Sequence, residues 1–255
     1  MKKIFALMLT MALLFSCAAF ATEAVEETQL PEVVYVSITD DTGALVAAHE
    51  PIELTDADED GILTINDALL AAHIALHEEG AEAYASAETE YGISLVELWG
   101  IDNGGVFGYY LNDTSAMSLL DPIAAGDHVK AFCYTDLETW SDTYCFFEAP
   151  AVEAVEGEEI ALLLSAAGYD ENFLPITFPV EGAVITVNGE ATEIMTDAEG
   201  KAVVTLTIAE DAETVTVNET QVYRFVISAA SETQNLIAPV CVVTIPAEIA
   251  TETDK

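Results

Sequence analysis

Asp56-Ala57-Asp58-Glu59-Asp60-Gly61-Ile62-Leu63-Thr64-Ile65-Asn66-Asp67 is the stretch on which the reading of the first half turns, because it closes an extended region and opens the clearest helical pattern in the chain. Its spacing is that of a twelve-residue calcium loop. Hard cations need a closed shell of oxygens, and carboxylates at loop positions one, three and five (Asp56, Asp58, Asp60) turn inward as the chain curls. Gly61 permits the sharp bend at position six, Ile62 offers its carbonyl at seven, Thr64 acts through water at nine, and Asp67 closes the shell at twelve. Leu63 and Ile65 anchor the loop to a core. A solvated acidic turn would explain the charge, but not the spacing, the glycine and the following helix together. Calcium is therefore the expected ion, structural and coupled to folding.

Outward from the loop, Ile65–Glu79 is periodic and stops at Gly80. Ile65, Leu69, Ala72 and Leu76 share one helical face, and Leu70 and Ile74 form a second strip. Asn66, His73 and His77 lie between the strips, the imidazoles four residues apart and so neighbours. They suit a transition metal or a ligand pocket, or they are core histidines bonded to backbone or Tyr. Upstream, Val33–Thr39 alternates as a strand, Asp40-Asp41-Thr42-Gly43 is a turn, and 44–48 and 51–55 look extended. Downstream, the Ala-rich run to Glu90 reads as a second helical piece, and 95–99, 106–112, 129–136 and 143–148 read as strands. Glu148–Gly157 reads as a linker. Beyond it 159–165, 184–187, 202–208, 222–229 and 240–245 are strand-like between Gly, Asn, Asp and Pro turns, a small antiparallel sandwich.

Over 255 residues there are 46 acids and 6 bases, a net charge of −40, with 52% hydrophobic residues. That is apolar enough for a real core. The charge excludes nucleic acid, whose phosphates need clustered Lys and Arg, and disfavours anionic lipid. Lys2 and Lys3, the apolar stretch to Phe15 and Ala19-Phe20-Ala21 form an export signal, so the expected location is secreted or cell-surface. Leu14-Phe15-Ser16-Cys17 also resembles a lipoprotein box, which would put a lipid anchor on Cys17. No later stretch has the length of a transmembrane span. Cys133 and Cys145 lie on neighbouring strand-like runs and form either a disulfide or, with Cys241, three buried thiols.

The segment DADEDGILTINDALLAAH resembles a dockerin-type repeat, although a full dockerin has two such loops and only one is visible. Trp99-Gly100, Phe107-Gly108-Tyr109-Tyr110-Leu111-Asn112 and Gly126-Asp127-His128-Val129-Lys130-Ala131-Phe132 resemble the C-terminal domain of transcobalamin and its bacterial relatives, a soluble-ligand-binding β-grasp domain. That resemblance implies non-covalent binding of a small molecule or a protein or cell-surface partner. Trp99, Tyr109, Tyr110 and Asn112 are the candidate ligand contacts, with His73 and His77 beside them. One of Tyr109 and Tyr110 must face outward on a regular strand. The runs 182–189, 196–206 and 223–226 resemble the immunoglobulin-like modules of bacterial adhesins.

The expectation is therefore an α+β chain: signal peptide 1–21, acidic spacer 22–31, β-grasp-like domain 32–149 with one EF-hand-type loop and helix, all-β immunoglobulin-like sandwich 150–247, and tail 248–255. No G-x-S-x-G, H-E-x-x-H or phosphate loop is present, and His49 and His128 have no Ser or Cys at a motif spacing. A non-catalytic binding protein is expected, with a dockerin-like assembly protein docking to a cohesin-type partner as the alternative.

Overall fold

Val33–Thr39, rich in β-branched residues, becomes β1, and a computed structural model places it between β2 (Leu45–Glu53) and the later β7 (His128–Cys133). The structure describes residues 33–247 other than 91 and 218; the expected export signal, Cys17, the acidic spacer and the tail 248–255 lie outside the described residues. The β1–β2 turn is set by Asp40, whose carboxylate accepts the N–H groups of Thr42 and Ala44, with Gly43 at positive φ. Antiparallel to β2 and parallel to β7, β1 is apolar along most of its length because both its faces are covered.

After β2 comes helix α1 (Ile65–Leu76), then a 3-10 turn (Gly80–Ala83) and the hairpin of β3 (Ala85–Thr89) and β4 (Gly92–Glu97). β5 (Phe107–Leu111) and β6 (Thr114–Ser115) complete the first sheet in the order β2-β1-β7-β5-β6. Ile65, Ala68, Leu69 and Ala72 of α1 cover one face of it, over Val34, Val36, Ile38, Val129 and Ala131.

The second half contributes β8 (Thr143–Phe147), β9 (Ala151–Glu153), β10 (Glu159–Tyr169), β11 (Pro175–Pro179), β12 (Val184–Val187), β13 (Glu190–Met195), β14 (Lys201–Thr205), β15 (Val215–Val217), β16 (Thr220–Ala230), β17 (Leu236–Ile237) and β18 (Cys241–Pro246). One sheet runs β11-β10-β8-β17 with β14 on β10, the other β13-β12-β16-β18-β9 with β15 on β16. Leu162, Leu164 and Phe147 from the first meet Ile185, Ile227 and Val243 from the second in a shared core.

The expected α+β class is corrected: the described residues are 49% strand and 8% helical, with one α-helix. Two segments illustrate the difference. The Ala-rich run expected as a second helical piece keeps only the 3-10 turn Gly80–Ala83; the rest goes into β3, because Ala85, Ser86 and Ala87 alternate along the β4 ladder instead of lying on a helical face. The run read as a linker holds β9, paired in parallel with β18. β8, before residue 149, pairs with β10 and β17 beyond it. The described residues cluster as one compact unit. Phe132 and Tyr144 pack with Ile237 on the back of the first sheet, and Ala48 packs with Val240 and Val242. Arg224 of β16 donates to the Ala48 carbonyl and pairs with Glu50 at 2.7 Å. Among the described residues Cys133, Cys145 and Cys241 are all buried free thiols, so the disulfide option is not taken.

Candidate functional site

The acidic loop curls as its spacing requires. Gly61, at φ +87°, turns the chain so that its own N–H reaches Asp56 Oδ2 at 2.8 Å. Asp60 N–H points to Asp58 Oδ1 at 3.3 Å and Ile62 N–H to Asp60 Oδ1 at 2.7 Å. One carboxylate oxygen from each of Asp56, Asp58 and Asp60 lies within 4.8 Å of the others. Asp56 Oδ1 is buried without a hydrogen-bond partner, which is costly for a carboxylate oxygen unless something positive sits against it. The Asp60 N–H pulls the Asp58 carboxyl down, but partial desolvation and the crowding of Asp60, Asp56 and Asp67 outweigh it, and the net direction is up. The donors are hard oxygens, the set calcium takes, and a cation there would relieve that crowding.

Thr64 and Asp67 are engaged otherwise. Thr64 is the N-cap of α1, and Asp67 Oδ2 accepts both its N–H (2.9 Å) and its hydroxyl (2.7 Å), a capping box. The Ala57 N–H reaches Asp67 Oδ1 at 3.2 Å, tying the loop's first turn to the helix. Asp67 is thus buried in a protein network beside the three converging carboxylates. The side chain of Ile62 is exposed.

The helix histidines resolve into structure. His73 is fully buried; its Nδ1 donates to the Leu69 carbonyl and its Nε2 accepts the Trp99 N–H at 2.9 Å. With Nε2 accepting an N–H the ring is neutral and both nitrogens are occupied, and burial holds its pKa below the ordinary value. His77 accepts the Glu79 N–H at 3.1 Å and meets Trp99 edge-on, with ring centroids 4.8 Å apart. Asn66 accepts the Tyr84 hydroxyl at 2.7 Å. Trp99 (φ +57°) packs against the core under α1, as does Tyr109. Asn112 braces a turn, donating to Asp127 and accepting the His128 N–H.

Tyr110 points the other way. Its ring stacks on Tyr144 with centroids 3.5 Å apart, and it lines a cavity of about 350 Å³ between the β5–β6 and β10–β11 hairpins, within the usual size range of ligand pockets. Asp113, Ser115, Tyr169 and Thr177 also line it. Burial, then the neighbouring Tyr134 and Tyr169, push the Tyr110 hydroxyl up to about 12. Beneath the cavity Asp113 Oδ1 accepts both the Lys130 ammonium and the Tyr144 hydroxyl. Burial lowers the Lys130 pKa against the pull of Asp113.

Of the expected ligand contacts only Tyr110 reaches this cavity; Asp113, in the β5–β6 turn, and Tyr169, which meets Tyr110 only once the two hairpins are brought together, were not foreseen. A second pairing also lacked a sequence signal: Ser37 accepts the His49 N–H and its hydroxyl lies 2.8 Å from His128 Nε2 across β1–β7. Both side chains are buried, and His128 is pushed down to about 2 by desolvation, then by Lys130 and His49. Among the described residues no helix is long and apolar enough to cross a membrane. No family model matches the sequence, and no curated protein is similar enough to count as a match.

Proposed function

We propose that the protein is an exported, non-catalytic binding protein whose loop at 56–67 holds calcium as a structural ion. The observation that carries the metal is the unpaired buried oxygen of Asp56, set where the carboxylates of Asp58 and Asp60 converge. Bound there, the ion fixes the loop against the start of α1, and so the connection between β2 and the helix that covers the first sheet. The cavity beside Tyr110 supplies the place for a ligand. Thermal unfolding with calcium and with chelator tests the metal. At about ten times the dissociation constant, binding to the folded state alone stabilises by about 1.4 kcal/mol. The Asp58→Asn, Asp60→Asn double variant loses that difference; superimposable wild-type curves discard the metal.

A second reading is a dockerin-like assembly protein docking to a cohesin-type partner. It is favoured by the groove of about 530 Å³ between α1 and β2, lined by Leu70 and Ile74 beside the loop, with Ile74 60% exposed. Calcium-dependent capture by a cohesin domain, abolished by Ile74→Asp, would support this over a free ligand-binding role.

A further inference from the structure

We infer that the cavity between the β5–β6 and β10–β11 hairpins is a subsite for a neutral saccharide ring, which gives the binding reading above, on which this rests, a ligand class. Part of the lining is flat and apolar: Tyr110, Ala167, Gly168 and Ile176 contribute to it, with Tyr169, 65% exposed, beside them. The ring of Tyr110 is held by its stack on Tyr144, so it is presented in one orientation at little entropic cost. Around this apolar surface lie hydroxyls. Those of Thr114 and Thr177 make no hydrogen bond with the described residues, and that of Ser115 sits beside Tyr110. Asp113 gives its Oδ1 to Lys130 and Tyr144 and leaves Oδ2 without a partner among the described residues.

Charge narrows the ligand. A chain at −40 repels anions. The ion pair with Lys130 already neutralises Asp113, so nothing in the cavity calls for a cation. A wholly apolar ligand would bury the rim hydroxyls and the free carboxylate oxygen without partners, which is costly. A pyranose meets every feature: one C–H face against an aromatic ring and a rim of hydroxyls that donate to carboxylate and exchange bonds with Thr and Ser.

The experiment uses the full chain in calcium, titrated with cellopentaose, mannopentaose and penta-N-acetylchitopentaose at millimolar concentration, and with indole and a pentasaccharide of uronic acids for contrast. Protein-detected NMR reads which residues respond. The expected result is that at least one neutral pentasaccharide shifts the resonances of Thr114, Tyr169 and Thr177. Tyr169→Ala, an exposed position that leaves the core intact, then weakens that binding about tenfold, and Thr177→Val weakens it less. If indole or the acidic sugar occupies the cavity and no neutral sugar does, the saccharide class is overturned while the binding reading stands. If nothing in the set perturbs the cavity, the subsite is overturned, and calcium-dependent capture of a protein partner decides the wider reading separately.

Discussion

Gly200 sits where a missing methyl group lets two strands close. A Cβ there would lie 2.3 Å from the Leu164 carbonyl oxygen and 3.2 Å from Pro179 Cβ, and the residue holds φ +76°. Its own carbonyl accepts the Leu164 N–H at 2.8 Å, so the backbone cannot back away without losing that bond. Gly200→Ala is expected to cost about 3 kcal/mol or more, from left-handed strain plus the clash; urea denaturation should show a lower midpoint with an unchanged slope. At this scale the sequence was legible where chemistry depends on local spacing. The carboxylates of Asp56, Asp58 and Asp60 converge around the turn at Gly61, since a tight turn is decided by its own residues. The Tyr109–Tyr110 alternation was legible too, but not which ring faced inward. That depends on α1 lying on one face of β5 and β8 on the other. Asp113 and Tyr169 were invisible because nothing local marks them.

Among the elements, β2 carries the most consequential irregularity. Between the pairs Val36↔Glu50 and Ile38↔Ala47 one extra residue is accommodated, and His49 takes φ +52°. The bulge turns the His49 ring inward, stacked on Tyr35 at 4.1 Å and edge-on to His128 at 4.5 Å. Burial first, then Lys130 and Arg224, lower its pKa from 6.5 to about 4. The unfolded chain takes up that proton as pH drops through 6.5 while the folded chain resists until about 4, so stability is lost on acidification across this window. Each pKa unit is worth about 1.4 kcal/mol. Wild type should therefore lose about 2–3 kcal/mol more than His49→Phe over that window; equal losses in paired urea titrations would remove the argument. Helix α1 was readable from its apolar period, which begins at Ile65, although it ends at Leu76 and not at the expected Glu79. β3 was not, because Ala favours helix locally and only the β4 ladder makes it extended. β9, the three residues that follow Pro150, carries no periodicity to read; its identity comes from β18.

For the molecule as a whole, the tiers are joined through β8. Tyr144 and Phe146 face the first sheet, Cys145 and Phe147 face the sandwich core, and both ladder partners of β8, β10 and β17, come later in the chain. A chain ended after residue 149 would leave Phe147 and both edges of β8 in water. It should lack a sharp urea transition and bind a hydrophobic dye, whereas residues 33–247 unfold cooperatively; a cooperatively folding fragment would refute this. The mostly-β class was hard to read for the same reason, since short strands are defined by partners far along the chain while one periodic helix announces itself. The three thiols draw out one more consequence. Burial raises Cys133 and Cys145 to about 12 and Cys241 to about 11, so thiolate is scarce and attack by oxidants or alkylating agents is slow. With no covalent cross-link among the described residues, maturation of this part of the chain calls for neither an oxidase nor an isomerase, and an anaerobic, sulfide-rich medium would leave its architecture unchanged.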